Sequence, residues 1–387
     1  MRSFTVAERR ARLARRHHLS PAAGTIAEVT TALVGLHSTD PATPYLSLHA
    51  RVPGFSVSEL ATELYETRSL VKHLAMRRTL WIVPTPDLGA VQVAASDRVA
   101  GTERKRLIAD AQKSGITDDG ARWLDTARTA VLGHLAEHGP TSASALRAEL
   151  PELQGRHNPA PGKSWGGESP LAPRILTVLG AQGDVIRGPN DGAWTTSRPR
   201  WAALSEWIPT PAAVAPEVAR AALIRRWLRA FGPATVTDVK WWFGNTLTWA
   251  RHALRDIDAV EVDLDGTPGY VLPEDLDVEA EPEPWGALLP GLDVTTMGWF
   301  DRDWYVGTHR AQVFDTYGNA GPTAWWNGRV VGAWSQDPVG RVQVHLLEDI
   351  GRDGTRELQR RAGALTEWLD DARIKPRFPS PILKELR

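Results

Sequence analysis

The 387-residue chain contains no cysteine. That excludes disulfides, thiol nucleophiles, zinc ribbons and iron–sulfur clusters in one step. No apolar run is long enough to span a bilayer. The N-terminus, MRSFTVAERRARLARRHHL, is basic but lacks the apolar core of a secretory signal. The common catalytic signatures are missing too: no G-x-S-x-G elbow, no Walker loop, no H-E-x-x-H and no G-x-G-x-x-G. The eleven histidines are scattered, and nothing pairs the adjacent His17 and His18 at metal-ligand spacing. The expectation is a monomeric, cytoplasmic protein with no metal, no organic cofactor and no membrane partner.

What is present is an ordinary globular balance, 42% hydrophobic and 24% charged. The net charge of −1 is unevenly spread. The first 20 residues hold six arginines against one glutamate, and 277–283, DVEAEPE, is acidic. A nearly neutral protein can bind DNA if its basic residues share a face. The arginine run reads equally well as a solvated helix face. Most of the seventeen tryptophans belong to the core, because indole buries so much apolar area.

The most informative feature is a repeat. HLAEHGPTSASALRAEL, residues 134–150, aligns without a gap to WLRAFGPATVTDVKWWF, residues 227–243, at an offset of 93. Each copy ends a helix at Gly-Pro. Each resumes after a threonine, Thr141 or Thr235, and Thr235 with Asp238 resembles a capping box. Downstream, Leu171, Ile175, Leu176 and Leu179 mark a further helix in the first copy. Asp184–Arg187 and Ala193–Thr196 then flank a Gly-Pro-Asn-Asp-Gly turn. In the second copy Leu247, Ala250, Leu254 and Ile257 precede strands 260–264 and 269–272 around Asp265-Gly266. Helix, turn, helix, helix, two-stranded wing is the order of a winged helix-turn-helix.

A third, diverged unit precedes these. TIAEVTTALVGL (25–36) and SVSELATELYET (56–67) are amphipathic, the latter with Ser56 and Glu59 as a capping box. LVKHLAMRRTLWIVP (70–84) reads as a hairpin wing with Arg77-Arg78 at its tip. A wing contacts phosphates, so Lys72, Arg77 and Arg78 are candidate DNA contacts. Arg156 and Lys163, in the Gly/Pro-rich insertion GRHNPAPGKSWGGESP (155–170), are two more.

The C-terminal part changes character. Residues 285–349 are rich in Trp, Gly and β-formers, with Asn327-Gly328 a hairpin signal. The predicted fold is α+β: three tandem winged helix-turn-helix units, a small C-terminal antiparallel β-barrel, and a terminal helix over 355–372. The expected segments are 1–122, 123–206, 207–278 and 279–387.

One stretch stands apart as a place for chemistry. GLHSTDPATPYLSLHARV, residues 35–52, runs from an apolar helix into His37-Ser38-Thr39-Asp40 and Pro41. Side chains two apart project to one side of an extended stretch. Asp40 before Pro41 is also ordinary turn chemistry.

The segments GLHSTDPATPYL, LAMRRTLWIVPTPDL, LLPGLDVTTMGW and WWNGRVVGAW, in this order across nearly the whole chain, resemble the AlkZ-type winged-helix DNA glycosylase family. That resemblance implies double-stranded DNA carrying alkylated bases as partner, and base excision repair of bulky N7-alkylated purines as function. It also implies two catalytic side chains in a Gln-apolar-Gln or Gln-apolar-Asp motif. Their positions fall here on His37 and Thr39, with polar Ser38 between, so the motif is altered. Trp81 stands where close relatives would carry His. N7 alkylation already weakens the glycosidic bond. The enzyme need only hold the DNA, stabilise an oxocarbenium-like sugar and position water. His37 would orient or deprotonate that water, Thr39 would hydrogen-bond it, and Asp40 would stabilise the sugar cation or fix the histidine tautomer. The alternative is a non-catalytic winged-helix DNA-binding protein, a regulator or a lesion sensor.

Overall fold

The computed structural model describes residues 1–158 and 167–385. By contact the chain divides into two units, Met1–Leu60 with Arg220–Arg387, and Ala61–Ala219.

The first unit opens with helix Val6–Arg16, started by a capping box in which Thr5 and Glu8 exchange bonds. Helix Ile26–Ala32 uses the same device with Thr25 and Glu28. Each box satisfies two otherwise orphaned N–H groups. Later in the unit come helices Val236–Phe243 and Leu247–Arg255, then strands Val260–Leu264 and Thr267–Val271. Ala234 forms an isolated antiparallel bridge with Tyr270.

The second unit carries the matching copy. Helix Gly120–His138 leads to the short strand Thr141–Ser142, then to helices Ala143–Glu149 and Ala172–Gln182 and a hairpin. Thr141 pairs with Trp201. The 93-residue offset carries Thr141 to Ala234, so both copies place a short pairing stretch at the same point. Leu124, Val131, Leu135, Leu146, Ile175, Leu179 and Trp201 share one core. The hairpin differs from the sequence expectation. Its strands are Val185–Asn190 and Pro199–Ala203, and the Gly-Pro-Asn-Asp-Gly run is partly strand. The turn lies further on because Asp191 N–H donates to Arg198 O, the Asn190 amide donates to Thr196 O, and Arg200 pairs with Asp191.

The C-terminal sheet is antiparallel and four-stranded, in sequential order Gly286–Leu289, Thr323–Trp326, Arg329–Gln336 and Val342–Leu346. The expected small barrel is therefore an open sheet. Its first and last strands do not pair with each other, and helix Gly351–Leu369 packs on both of them. That helix buries the anticipated stripe of Leu358, Ala362, Leu365 and Leu369.

A charged network sits at the centre of the first unit. Arg51 and Asp293 are both fully buried and meet in a bidentate pair of 2.8 and 2.9 Å. Arg51 also donates to the carbonyls of His17 and Ser47 and to Thr295 Oγ1. Asp293 accepts from Ser47 Oγ and Thr295 N–H as well. His17 closes the chain. Its Nε2–H donates to Ala230 O, so Nδ1 accepts from Thr295. Burial, reinforced by the Arg51 charge, pushes the His17 imidazole down to about 3, so it is neutral in the fold. In the unfolded chain it titrates near 6.5. The stability it contributes is complete above that value and is lost as pH falls toward 3. His49, stacked on Trp368 and pushed down to about 4 by burial and Arg361, adds in the same direction. Chemical unfolding of this unit between pH 7 and 4 is thus expected to show a slope approaching ~1.4 kcal/mol per pH unit per histidine. His17→Gln should lower that slope.

Candidate functional site

The segment between helices Ile26–Ala32 and Thr43–His49 is built under backbone constraint. Val34 is β-branched yet holds φ 63°, and Gly35 follows at φ 135°. A β-branched residue in the left-handed region is a strained outlier, and such strain concentrates at functional sites. The chain then runs through Leu36–His37 to Asp40. His37 is 3% exposed, Ser38 is buried and Thr39 is half-buried. Of the three, Thr39 is nearest the surface.

Asp40 is buried, and its carboxylate accepts from two backbone N–H groups, Ala42 at 3.1 Å and Arg377 at 2.8 Å. The first bond closes the turn leading into helix Thr43–His49. The second brings the C-terminal tail onto the segment, where Arg377 Nη1 also donates to Thr39 O. Burial raises the Asp40 pKa, opposed by the two N–H bonds and the Arg377 charge. Asp40 thus fixes backbone on both sides of it, which makes it a positioning group. A cavity of about 10 Å³ adjoins it, lined by Thr43, Leu46, Gly291, Trp334 and Pro376 among others. That is room for roughly one water. Arg377 could not be found from sequence, because nothing local links residue 377 to residue 40.

In the second unit the hairpin Leu70–Ala75 and Thr79–Pro84 turns at Met76–Arg78, as the sequence reading expects. Arg77 and Arg78 both hold positive φ, 55° and 61°. The Arg78 side chain is 58% exposed and pairs with Glu103 at 3.1 Å. Arg77 is half-buried.

Lys72 is a correction. It is buried, and its Nζ donates to Tyr65 Oη at 2.7 Å. Burial, with the Arg187 charge, pushes its pKa down to about 7. All six residues of Leu70–Ala75 are buried, so alternation along the strand carries Lys72 to no solvent face and to no phosphate. Lys72→Met is expected to leave duplex affinity unchanged. It should also raise thermal stability at pH 6, where the lysine would otherwise have to be charged in an apolar site. Melting temperature and a binding isotherm check both.

Arg156 is exposed and pairs with Glu168 at 3.1 Å, which offsets its charge. Lys163 lies outside the described residues. The N-terminal arginines are committed within the first unit. Arg12 and Arg16 engage Asp275 and Glu279, and Arg15 reaches Glu279. Glu279 of the acidic stretch, with Asp275 just ahead of it, is therefore a counterion of the basic helix. Among the described residues, no group of three or more metal-ligating side chains is placed to hold an ion. No helix there is long and apolar enough to cross a membrane.

The architecture is a mixed α/β one already seen in a DNA glycosylase. The solved structure of the Streptomyces sahachiroi DNA glycosylase AlkZ is similar at a TM-score of 0.75, covering 97% of this chain and 99% of that one at 21% identity. The AlkZ-like DNA glycosylase model matches residues 30–368, and the chain belongs to that family. An interstrand DNA cross-link repair glycosylase of the same organism is 31% identical over 173 residues, 41% of this chain. The match spans 45% of that relative's length.

Proposed function

We propose that this chain is a DNA glycosylase that excises bulky N7-alkylated purines from duplex DNA by water attack at the glycosidic bond. It would act as a cytoplasmic monomer without metal or organic cofactor. The observation that carries this reading is membership of a glycosylase family along a stretch that includes the His37 segment. The curated relative is named for interstrand cross-links, and a purine joined to its neighbour strand through N7 falls within the same lesion chemistry.

The scaffold fits duplex binding. Helix, short pairing stretch, helix, helix and hairpin recur in the same order in both copies, and the order along residues 26–84 is the same. We take each as a winged-helix unit, with exposed Arg78 as a phosphate contact at a wing tip. Thr39, nearest the surface, would hold the attacking water. His37 behind it would orient the water or take its proton. Asp40 would keep the segment in register through its two backbone bonds.

Burial of His37 favours a second reading, a DNA-binding protein that cleaves nothing. A duplex containing one N7-methylguanine separates the two. The glycosylase reading expects alkali-labile strand breaks at that position above the spontaneous rate. Tight binding with breaks only at the spontaneous rate would leave the second reading.

A further inference from the structure

The C-terminal tail beyond helix Gly351–Leu369 is tied down at three points. Gln336 Oε1 accepts from Ile374 N–H at 2.7 Å, Gln336 Nε2 donates to Ala372 O at 3.1 Å, and Asp40 accepts from Arg377 N–H. From 371 to 378 burial alternates residue by residue, exposed at 371, 373, 375 and 377 and intermediate between. That period of two puts Asp371, Arg373, Lys375 and Arg377 on one exposed side of the segment, with the Cα atoms of successive members up to about 7 Å apart. Arg373 donates to the carbonyls of Val339, Asp370 and Ala372, and Arg377 to that of Thr39. Carbonyl bonds orient a guanidinium without cancelling its charge, and each arginine has five N–H donors to distribute. The row ends at Thr39 and Asp40. It lies beyond residue 368, outside the stretch matched by the family model.

We propose that Arg373, Lys375 and Arg377 form a phosphate-tracking row that leads the backbone of bound DNA to the His37–Asp40 segment, with Arg377 the anchoring cation beside it. Three cations against the single carboxylate of Asp371 leave the row net positive, a polyanion is the occupant such a row selects, and the phosphodiester backbone presents charge at regular intervals. This rests on the reading of the chain as a DNA-binding glycosylase. Gln336 and Asp40 hold the segment by its backbone, so the backbone that carries the three cations is preset rather than ordered on binding.

The test is duplex binding by the full chain, followed by fluorescence anisotropy at salt concentrations between 50 and 200 mM (roughly the range over which phosphate contacts are read). Each lost phosphate contact lowers the slope of log K against log salt by about 0.9. Arg377→Ala is expected to lower it by about 1, Arg377→Lys by much less, and the Arg373→Ala/Lys375→Ala/Arg377→Ala triple by about 2 to 3. All three side chains are exposed, so melting temperatures should stay near wild type. Base release by Arg377→Ala should show a raised KM with a smaller change in kcat, and Arg377→Lys should restore it. A wild-type slope in the triple variant overturns the inference, even if the enzyme releases bases normally. If wild type binds duplex but releases no base, the glycosylase reading fails, while the slope difference still decides the role of the tail.

Discussion

Asp293→Ala is expected to destabilise the first unit by about 3–5 kcal/mol, the range for breaking a buried ion pair. The cost does not come mainly from the lost attraction. It comes from leaving Arg51, fully buried, charged and without its counterion. Burial pushes the Asp293 carboxyl up, yet the Arg51 charge and the bonds from Arg51, Ser47 and Thr295 carry it net below the ordinary value. Arg51→Met should be damaging for the converse reason and also strips a donor from the carbonyls of His17 and Ser47. The Arg51→Met/Asp293→Leu double variant removes both charges together and should cost less than either single change. Urea unfolding followed by tryptophan emission reads this. Strictly additive losses in the double variant would show that the two residues do not act as a unit.

His37→Ala should reduce base release at least about 100-fold, the lower end for removing a positioned general base, or about 2.7 kcal/mol of barrier. Duplex affinity should change by no more than about threefold, because a residue 3% exposed contributes little to phosphate contact. Thr39→Val keeps the size and shape of the side chain but not its hydroxyl, and should lose about tenfold, the worth of one hydrogen bond to the attacking water. Single-turnover kinetics with enzyme in excess isolate the bond-breaking step from product release. Equal rates in wild type and His37→Ala would remove His37 from the chemistry. A loss confined to affinity would make it a binding group.

Much of the scaffold was legible because local rules settle it. The break at Gly-Pro, the Thr235–Asp238 box and the Asp265-Gly266 and Asn327-Gly328 turns are set by neighbours within four residues. The hairpin at 70–84 was legible for the same reason. What failed was the inference from hairpin to exposed Lys72, because alternation predicts a wet face only when one face of the strand is wet, and here every residue from Leu70 to Ala75 is buried. The barrel failed because closure depends on whether two distant edge strands meet, which no turn signal specifies. At the candidate site, the His37–Asp40 segment stood out through its helix stop and proline. Its partners did not. Arg377 reaches Asp40 across 337 residues, and Arg51 reaches Asp293 across 242. Such pairs are fixed by tertiary packing, and their sequence trace is one arginine or aspartate among many. The basic N-terminus is the same lesson in reverse. Its arginines suggested a polyanion, and the fold supplies one from its own chain in Asp275 and Glu279.

The central claim is that this chain breaks the glycosidic bond of an N7-alkylated purine. It is tested most directly by incubating a duplex bearing a single N7-alkylguanine with excess protein and quantifying free alkylguanine by mass spectrometry. The expected result is stoichiometric release of the base with wild type and release at the spontaneous rate with His37→Ala. Spontaneous-rate release with wild type, under conditions where the duplex is fully bound, would contradict it.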